Sequence, residues 1–170
     1  ARSTELNYPL AIAANEAGET YLADRNLPGI WKLKDGELVV YFEASKKLRT
    51  PLNAVRCLAF DKEGKLLVGD SATREVYRFD EVGKPVPLTD GGIGIPMGIA
   101  ANKSGELLVS DLELHCIWKV PDAGGKPVKL ADVPAPAGVC LDSEGNLLVV
   151  SRGKDQLYRV SPLGKVEILV

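Results

Sequence analysis

The sequence predicts an all-β fold: a β-propeller of four-stranded antiparallel blades, with four blades in this chain. Three observations carry that reading. One unit recurs four times, marked by Asn15-Glu-Ala-Gly18, Asp61-Lys-Glu-Gly64, Asn102-Lys-Ser-Gly105 and Asp142-Ser-Glu-Gly145, whose glycines lie 46, 41 and 40 residues apart. A repeat of that period marks an array of small supersecondary units. One strand of the unit is apolar at consecutive positions, as in Leu107-Leu-Val109 and Leu147-Leu-Val-Val150, and unbroken apolarity means burial on both faces. No stretch holds helical periodicity over three turns. A small sheet sandwiched between two like sheets satisfies all three, and that is a propeller blade.

The columns agree across the units. Nine residues before each glycine stands Pro9, Val55, Pro96 or Pro136, and seven before it Ala11, Cys57, Gly98 or Gly138. Six after it stands Asp24, Asp70, Asp111 or Ser151, and twelve after it Ile30, Val76, Ile117 or Leu157. An aromatic follows (Trp31, Tyr77, Trp118, Tyr158), then a base (Lys32, Arg78, Lys119, Arg159). The first strand of a unit is short and small, as in Gly98-Ile-Ala-Ala101. The Asx-x-x-Gly turn closes it, because Asx caps its own backbone and Gly supplies positive φ. The apolar second strand comes next, then an alternating third strand such as Ile117-Trp-Lys-Val120, then a weaker outer strand such as Pro127-Val-Lys-Leu130. The blades fall at about 9–44, 54–90, 96–132 and 136–170 of a single propeller domain.

Composition narrows the function. The chain has 170 residues and a net charge of −2, which argues against a nucleic-acid binder working by bulk electrostatics. No apolar run approaches the ~18 residues of a membrane-spanning helix, so no membrane partner is expected. Three Cys are too few for a disulfide scaffold, and a single His excludes a His-rich metal site. No nucleotide, haem, flavin or zinc motif is present, so no cofactor is expected, a divalent cation being the one alternative left open. The chain opens on Ala1 without a signal segment, which points to processing, excision or an engineered set of blades. The compartment stays open.

The residues Pro96-Met-Gly-Ile-Ala100, Gly105-Glu-Leu-Leu-Val-Ser-Asp111 and Ile117-Trp-Lys-Val120 resemble the NHL-repeat propellers and the senescence-marker-protein/gluconolactonase-like propellers. Pro136-Ala-Gly138, Asp142-Ser-Glu-Gly-Asn-Leu147 and Leu157-Tyr-Arg-Val160 add to the resemblance, which covers residues 9–170. It implies a ring that usually closes six blades. Four units therefore either close alone or form part of a larger ring completed by another copy or a missing segment. An open arc exposes an apolar blade face at each end, which points to a homo-oligomer through the terminal blades. In the lactonase-like family the resemblance also implies a divalent cation held by Asn or Asp in P-N-G and P-D-G motifs and by an early Glu. Here those places carry Met97, Ala137 and the uncharged Asn7. Neither thioether nor methyl can supply the oxygen that a hard cation needs.

Candidate ligand-binding residues lie on the channel face, and they are Arg56, Asp70, Met97, Asp111 and Arg152. Leu10, Arg56, Met97 and Ala137 precede the small column and point toward the channel mouth. Arg56 breaks that apolar set and could grip a carboxylate or phosphate, or pair with a neighbouring Asp. The Asp24, Asp70 and Asp111 column reads either as a carboxylate ring at the channel mouth or as caps that accept turn N–H groups. Capping is the stronger reading, because the column repeats in each blade whatever the site. Arg152 is a weaker candidate beside Ser151.

His115 sits at a turn tip with no nucleophile in reach, so no catalytic residue is assigned. Cys57 and Cys140 read as small buried packing residues. The aromatic column reads as inter-blade core, and the basic column as a solvated edge whose stems cover apolar surface. The glycines of Thr89–Pro96 read as a flexible crossover, and Lys46, Lys47 and Arg49 as a local basic loop. The leading expectation is a non-enzymatic scaffold or binding module that takes a protein or small-molecule ligand at its channel face. The alternative is a lactonase/esterase-like metal-dependent hydrolase whose ligand positions are mostly lost.

Overall fold

The computed structural model describes residues 5–45, 47 and 49–170. Lys46 of the basic loop lies outside the described residues. Sixteen strands form four separate four-stranded antiparallel sheets, and no helix occurs among the described residues. Blade 1 comprises β1 (Pro9–Ala14), β2 (Thr20–Asp24), β3 (Leu27–Lys34) and β4 (Glu37–Glu43). Blade 2 comprises β5 (Val55–Phe60), β6 (Leu66–Asp70), β7 (Glu75–Phe79) and β8 (Pro85–Pro87). Blade 3 holds β9 (Pro96–Ala101), β10 (Leu107–Asp111), β11 (Cys116–Val120) and β12 (Val128–Asp132). Blade 4 holds β13 (Pro136–Leu141), β14 (Leu147–Ser151), β15 (Gln156–Val160) and β16 (Val166–Ile168). Each sheet runs in chain order from inside to outside.

The Asx-x-x-Gly turns form as the sequence dictates. Asp61 Oδ1 accepts the Glu63 and Lys65 N–H groups at 2.9 and 2.8 Å, while Gly64 N–H donates to the Asp61 carbonyl at 3.0 Å. Gly64 has φ +75°, a left-handed conformation that glycine adopts without a Cβ penalty. Asn102 and Asp142 make the same pair of side-chain bonds two and four residues on.

Three apolar clusters lie between consecutive blades. Tyr21, Ala23 and Ile30 of blade 1 bury against Leu58, Val68, Tyr77 and Phe79 of blade 2. Leu67, Val76 and Leu88 of blade 2 meet Leu107, Val109 and Val120 of blade 3. Leu108 and Ile117 of blade 3 meet Leu147, Val149, Tyr158 and Val160 of blade 4. Every residue of β6 and β10 is buried, because alternate side chains enter alternate clusters. The inner strands pack in the order β1, β5, β9, β13, and no comparable packing joins β13 back to β1. Four blades therefore form an open arc with two bare ends.

That arc corrects three expectations. Cys140 is exposed rather than packed, because it lies on the outward side of the last blade, while Cys57 and Cys116 are buried. The basic column is ion-paired rather than freely solvated. Lys119 Nζ reaches Glu106 Oε1 of its own hairpin at 3.0 Å, and Lys32 bonds Glu19. Arg78 crosses between blades: its terminal nitrogens bond the Asp122 carbonyl at 2.6 Å and carboxylate at 2.8 Å. Its Nε lies 2.8 Å from Asp61 Oδ2 without hydrogen-bond alignment. The glycine-rich crossover is pinned at both ends by buried carboxylates. Glu75 accepts N–H groups of Thr89 and Gly91, and Asp111 those of Gly94 and Ile95.

Candidate functional site

The concave side of the arc holds a cavity of about 500 Å³ whose walls come from the inner strands of all four blades. One local device aims residues into it. In each blade the pairing of the first two strands slips by a bulge near the start of the inner strand. The slip skips Leu10, Arg56 and Met97 in the first three blades and Ala137 with Gly138 in the fourth, and a bulged residue leaves the ladder and turns its side chain off the sheet. Leu10, Arg56 and Met97 line the cavity together with Ile12, Leu22, Leu58, Ile99 and Val139. The small column lets blades approach at this inner radius: a Cβ on Gly98 would sit 2.8 Å from the Ala137 carbonyl oxygen.

Arg56 is the one charged residue in that wall. Its Nε donates to Ser71 Oγ at 3.0 Å, and Ser71 Oγ donates to the Ala54 carbonyl at 3.0 Å. Its partner is thus a hydroxyl and not a neighbouring carboxylate, and the relay fixes the guanidinium plane. Arg56 also borders a second recess of about 250 Å³ between blades 1 and 2, with Asp24 and Arg25.

The carboxylate column stands apart from the cavity wall. Asp70 and Asp111 are fully buried, and Asp24 nearly so. Asp111 accepts N–H groups from Gly94 at 2.7 Å, Ile95 at 3.0 Å, Glu113 at 3.1 Å and Leu114 at 3.0 Å, and the Trp118 indole at 2.8 Å. Asp70 accepts from Leu52, Ala54 and Ala72 N–H groups and from the Thr73 hydroxyl. Asp24 accepts from Asn7, Tyr8 and Asn26. Each carboxylate therefore caps its own turn and also clamps the lead-in to its own blade. Ser151 holds the same place in blade 4 with one bond, donated to the Pro134 carbonyl at 2.6 Å. Sequence reasoning saw the cap but missed the clamp, since the lead-in lies about 17 residues away.

Arg152 is exposed at the β14–β15 turn and lies outside the cavity wall. His115 is exposed, adopts φ +53°, and its Nδ1 accepts the Ala135 N–H at 3.0 Å. It holds a crossover in place. Burial pushes the Cys57 thiol up to about 12, and burial, with nearby Asp111, does the same for Cys116. Neither supplies a thiolate nucleophile.

The donor set does not fit the divalent cation that the resemblance implies. Met97 and Ala137 offer no side-chain oxygen, and the Asn7 Oδ1 accepts from Asn26 Nδ2 at 2.6 Å. Among the described residues no three His, Cys, Asp or Glu side chains converge as a metal site would need.

No family model matches the chain. Human NHL-repeat-containing protein 4 is 39% identical over 57 residues, which are 34% of this chain and 46% of that protein. The human E3 ubiquitin-protein ligase TRIM32 is 40% identical over 65 residues, 36% of this chain and 10% of that protein. The chain spans less than half the length of these curated relatives. Among solved structures, a gluconolactonase from Xanthomonas campestris superposes with a TM-score of 0.80 at 16% identity, covering 98% of this chain and 63% of that one. Virginiamycin B lyase from Staphylococcus aureus superposes with a TM-score of 0.77 at 18% identity, covering 95% of this chain and 55% of that one. The sequence kinship covers about a third of the chain and the superposition nearly all of it, and both agree with the four sheets: this chain has an NHL/gluconolactonase-like β-propeller fold.

Proposed function

We propose that this chain is a non-enzymatic binding module whose concave face takes a small ligand with an apolar body and one anionic group. The observation that carries this reading is the wall itself, in which ten apolar side chains surround a single guanidinium. An apolar pocket supplies affinity by removing ligand surface from water, and one fixed polar group supplies orientation. Arg56 suits a carboxylate or phosphate, because its planar fork offers paired N–H donors. Met97 is the sole methionine, so its methyl group reports on the cavity without ambiguity.

The test is a titration of hexanoate followed by the Met97 methyl resonance. The resonance is expected to shift, and Arg56→Ala to weaken binding by about tenfold or more, the usual worth of a charge-assisted hydrogen bond. Hexanol is expected to bind wild type and Arg56→Ala alike. An unmoved Met97 signal, or equal hexanoate affinity in the two proteins, contradicts the reading.

A second reading, a lactonase/esterase-like metal-dependent hydrolase, draws on the superposition with a gluconolactonase and a lyase. The residues weigh against it, since Met97, Ala137 and Asn7 stand where the cation would be held. Lactone hydrolysis that responds to Ca²⁺, Zn²⁺ or Mn²⁺ would favour it.

A further inference from the structure

The recess of about 250 Å³ between blades 1 and 2 is bordered by two guanidinium groups, Arg25 and Arg56. Arg25 follows the column Asp of blade 1, and Arg56 is the bulged residue of blade 2. In register the blade 2–blade 3 junction has Ser71 and Met97, and the blade 3–blade 4 junction has Leu112 and Ala137. Of the three junctions this one alone carries two cations there, so no rule of the repeat requires them. Neither is spent on a carboxylate. Among the described residues Arg56 has one partner, the Ser71 hydroxyl at its Nε, and its two terminal nitrogens have none. Arg25 is exposed and its guanidinium lies 5.7 Å from the centre of the Tyr8 ring, a cation–π contact that steadies the side chain. The one carboxylate in the lining is Asp24, which already accepts the Asn7, Tyr8 and Asn26 N–H groups. It offsets one of the two positive charges and leaves the recess net positive.

The backbone of the recess is fixed before any ligand arrives. Leu52 is fully buried yet holds φ +62°, a conformation that costs a leucine free energy. Such a residue persists only where its surroundings over-determine it. Here its N–H donates to Asp70 Oδ2 at 3.1 Å, and its carbonyl accepts the Gly29 N–H at 3.1 Å. Gly29 has φ +106°, and a Cβ there would collide with the Phe42 carbonyl. Next in the wall, Asn53 Nδ2 donates to the Ser45 carbonyl at 2.6 Å, and Ala54 N–H to Asp70 Oδ1 at 2.9 Å. A wall ordered in advance spares a ligand that cost. The loop leading into it also carries Lys47 and Arg49, both exposed, and such charge favours the approach of an anion.

We propose that this recess is a phosphoryl site, taking phosphate or a phosphate monoester between Arg25 and Arg56. A carboxylate presents two oxygens and one charge, enough for one guanidinium fork. A phosphoryl group presents three acceptor oxygens and about −1.5 to −2 charge at neutral pH, enough for two forks from two blades. The site shares Arg56 with the concave cavity but uses none of its apolar wall, so it does not rest on the ligand reading above.

The test is a titration with inorganic phosphate, and in parallel with methyl phosphate, at an ionic strength held constant with NaCl. The backbone amide resonances of Gly29, Asn53 and Ala54 report on the recess. They are expected to shift and saturate in wild type. Arg25→Gln, at the exposed partner, is expected to weaken phosphate at least about fivefold, Arg56→Gln about tenfold or more, and the two together to abolish saturation. Tighter binding of methyl phosphate assigns the site to an ester, and tighter binding of phosphate to the free ion. Arg25→Gln is expected to leave hexanoate affinity at the Met97 methyl unchanged, since Arg25 is not in the cavity wall. Phosphate binding with hexanoate silent at Met97 supports this site while contradicting the cavity reading. If Arg56→Gln disturbs the Ser71 relay, Arg25→Gln carries the test by itself. Amide shifts no larger than NaCl alone produces, or wild-type phosphate affinity in Arg25→Gln, overturn the proposal.

Discussion

Replacing Leu108 by Asp is expected to abolish cooperative folding. Leu108 is 5% exposed on the central strand β10 and packs with Ile117, Ala131, Val133, Leu147 and Val149 between blades 3 and 4. Its strand neighbours Leu107 and Val109 fill the cluster on the other side, so β10 cannot slide or rotate to bring an introduced charge to water. Removing the leucine side chain alone costs about 2–5 kcal/mol, as core truncations do. A carboxylate in its place adds the cost of burying a group with no donor to meet it. The sum rivals the whole stability of a domain, about 5–15 kcal/mol. Leu108→Ala is expected to fold with a lowered midpoint, and Leu108→Asp to give no sigmoidal transition in urea. A Leu108→Asp protein that melts cooperatively near the wild-type temperature would remove β10 from the centre of the stack.

The second large effect concerns Asp111. Asp111→Ala is expected to cost about 3–5 kcal/mol, because it orphans five donors at a fully buried position and each unpaired buried donor costs about 1–3 kcal/mol before relaxation. The loss reaches beyond the turn: Gly94 and Ile95 belong to the crossover from blade 2, so blade 3 loses the clamp on its lead-in. Ser151→Ala, the same column in blade 4, removes one bond and is expected to cost about 1 kcal/mol. Urea unfolding of both variants checks the ratio. Equal small losses would mean that the carboxylates neither cap nor clamp.

The sequence made the blades legible because two short-range rules act in every unit. The Asx-x-x-Gly turn fixes the first hairpin within four residues, and the apolar run of the second strand records burial on both faces. Four copies of the same pattern then imply stacking. The contacts between units were less legible. Arg78 looked like a solvated edge because its partner Asp122 lies 44 residues away. The Thr89–Pro96 crossover looked flexible because Glu75 and Asp111, which hold it, lie on strands of two different blades. Cys140 shares its column with packed residues such as Ala59 and Ala100, and a repeat pattern carries no mark of which unit stands at an end. The cavity was partly legible. The columns placed Arg56 and Met97 at the channel mouth, while the bulge that turns them inward is a property of pairing register.

The stack of blades is tested most directly by amide hydrogen exchange resolved by residue. The middle strands β6 and β10 lie inside two clusters each, whereas β8 and β16 are short outer strands with exposed side chains. Protection is expected to be greatest and similar in β6 and β10, set by global unfolding, and weakest in β8 and β16, which open locally. If β10 exchanges as fast as β16, the middle blades are not covered on both sides and the stacked architecture is wrong.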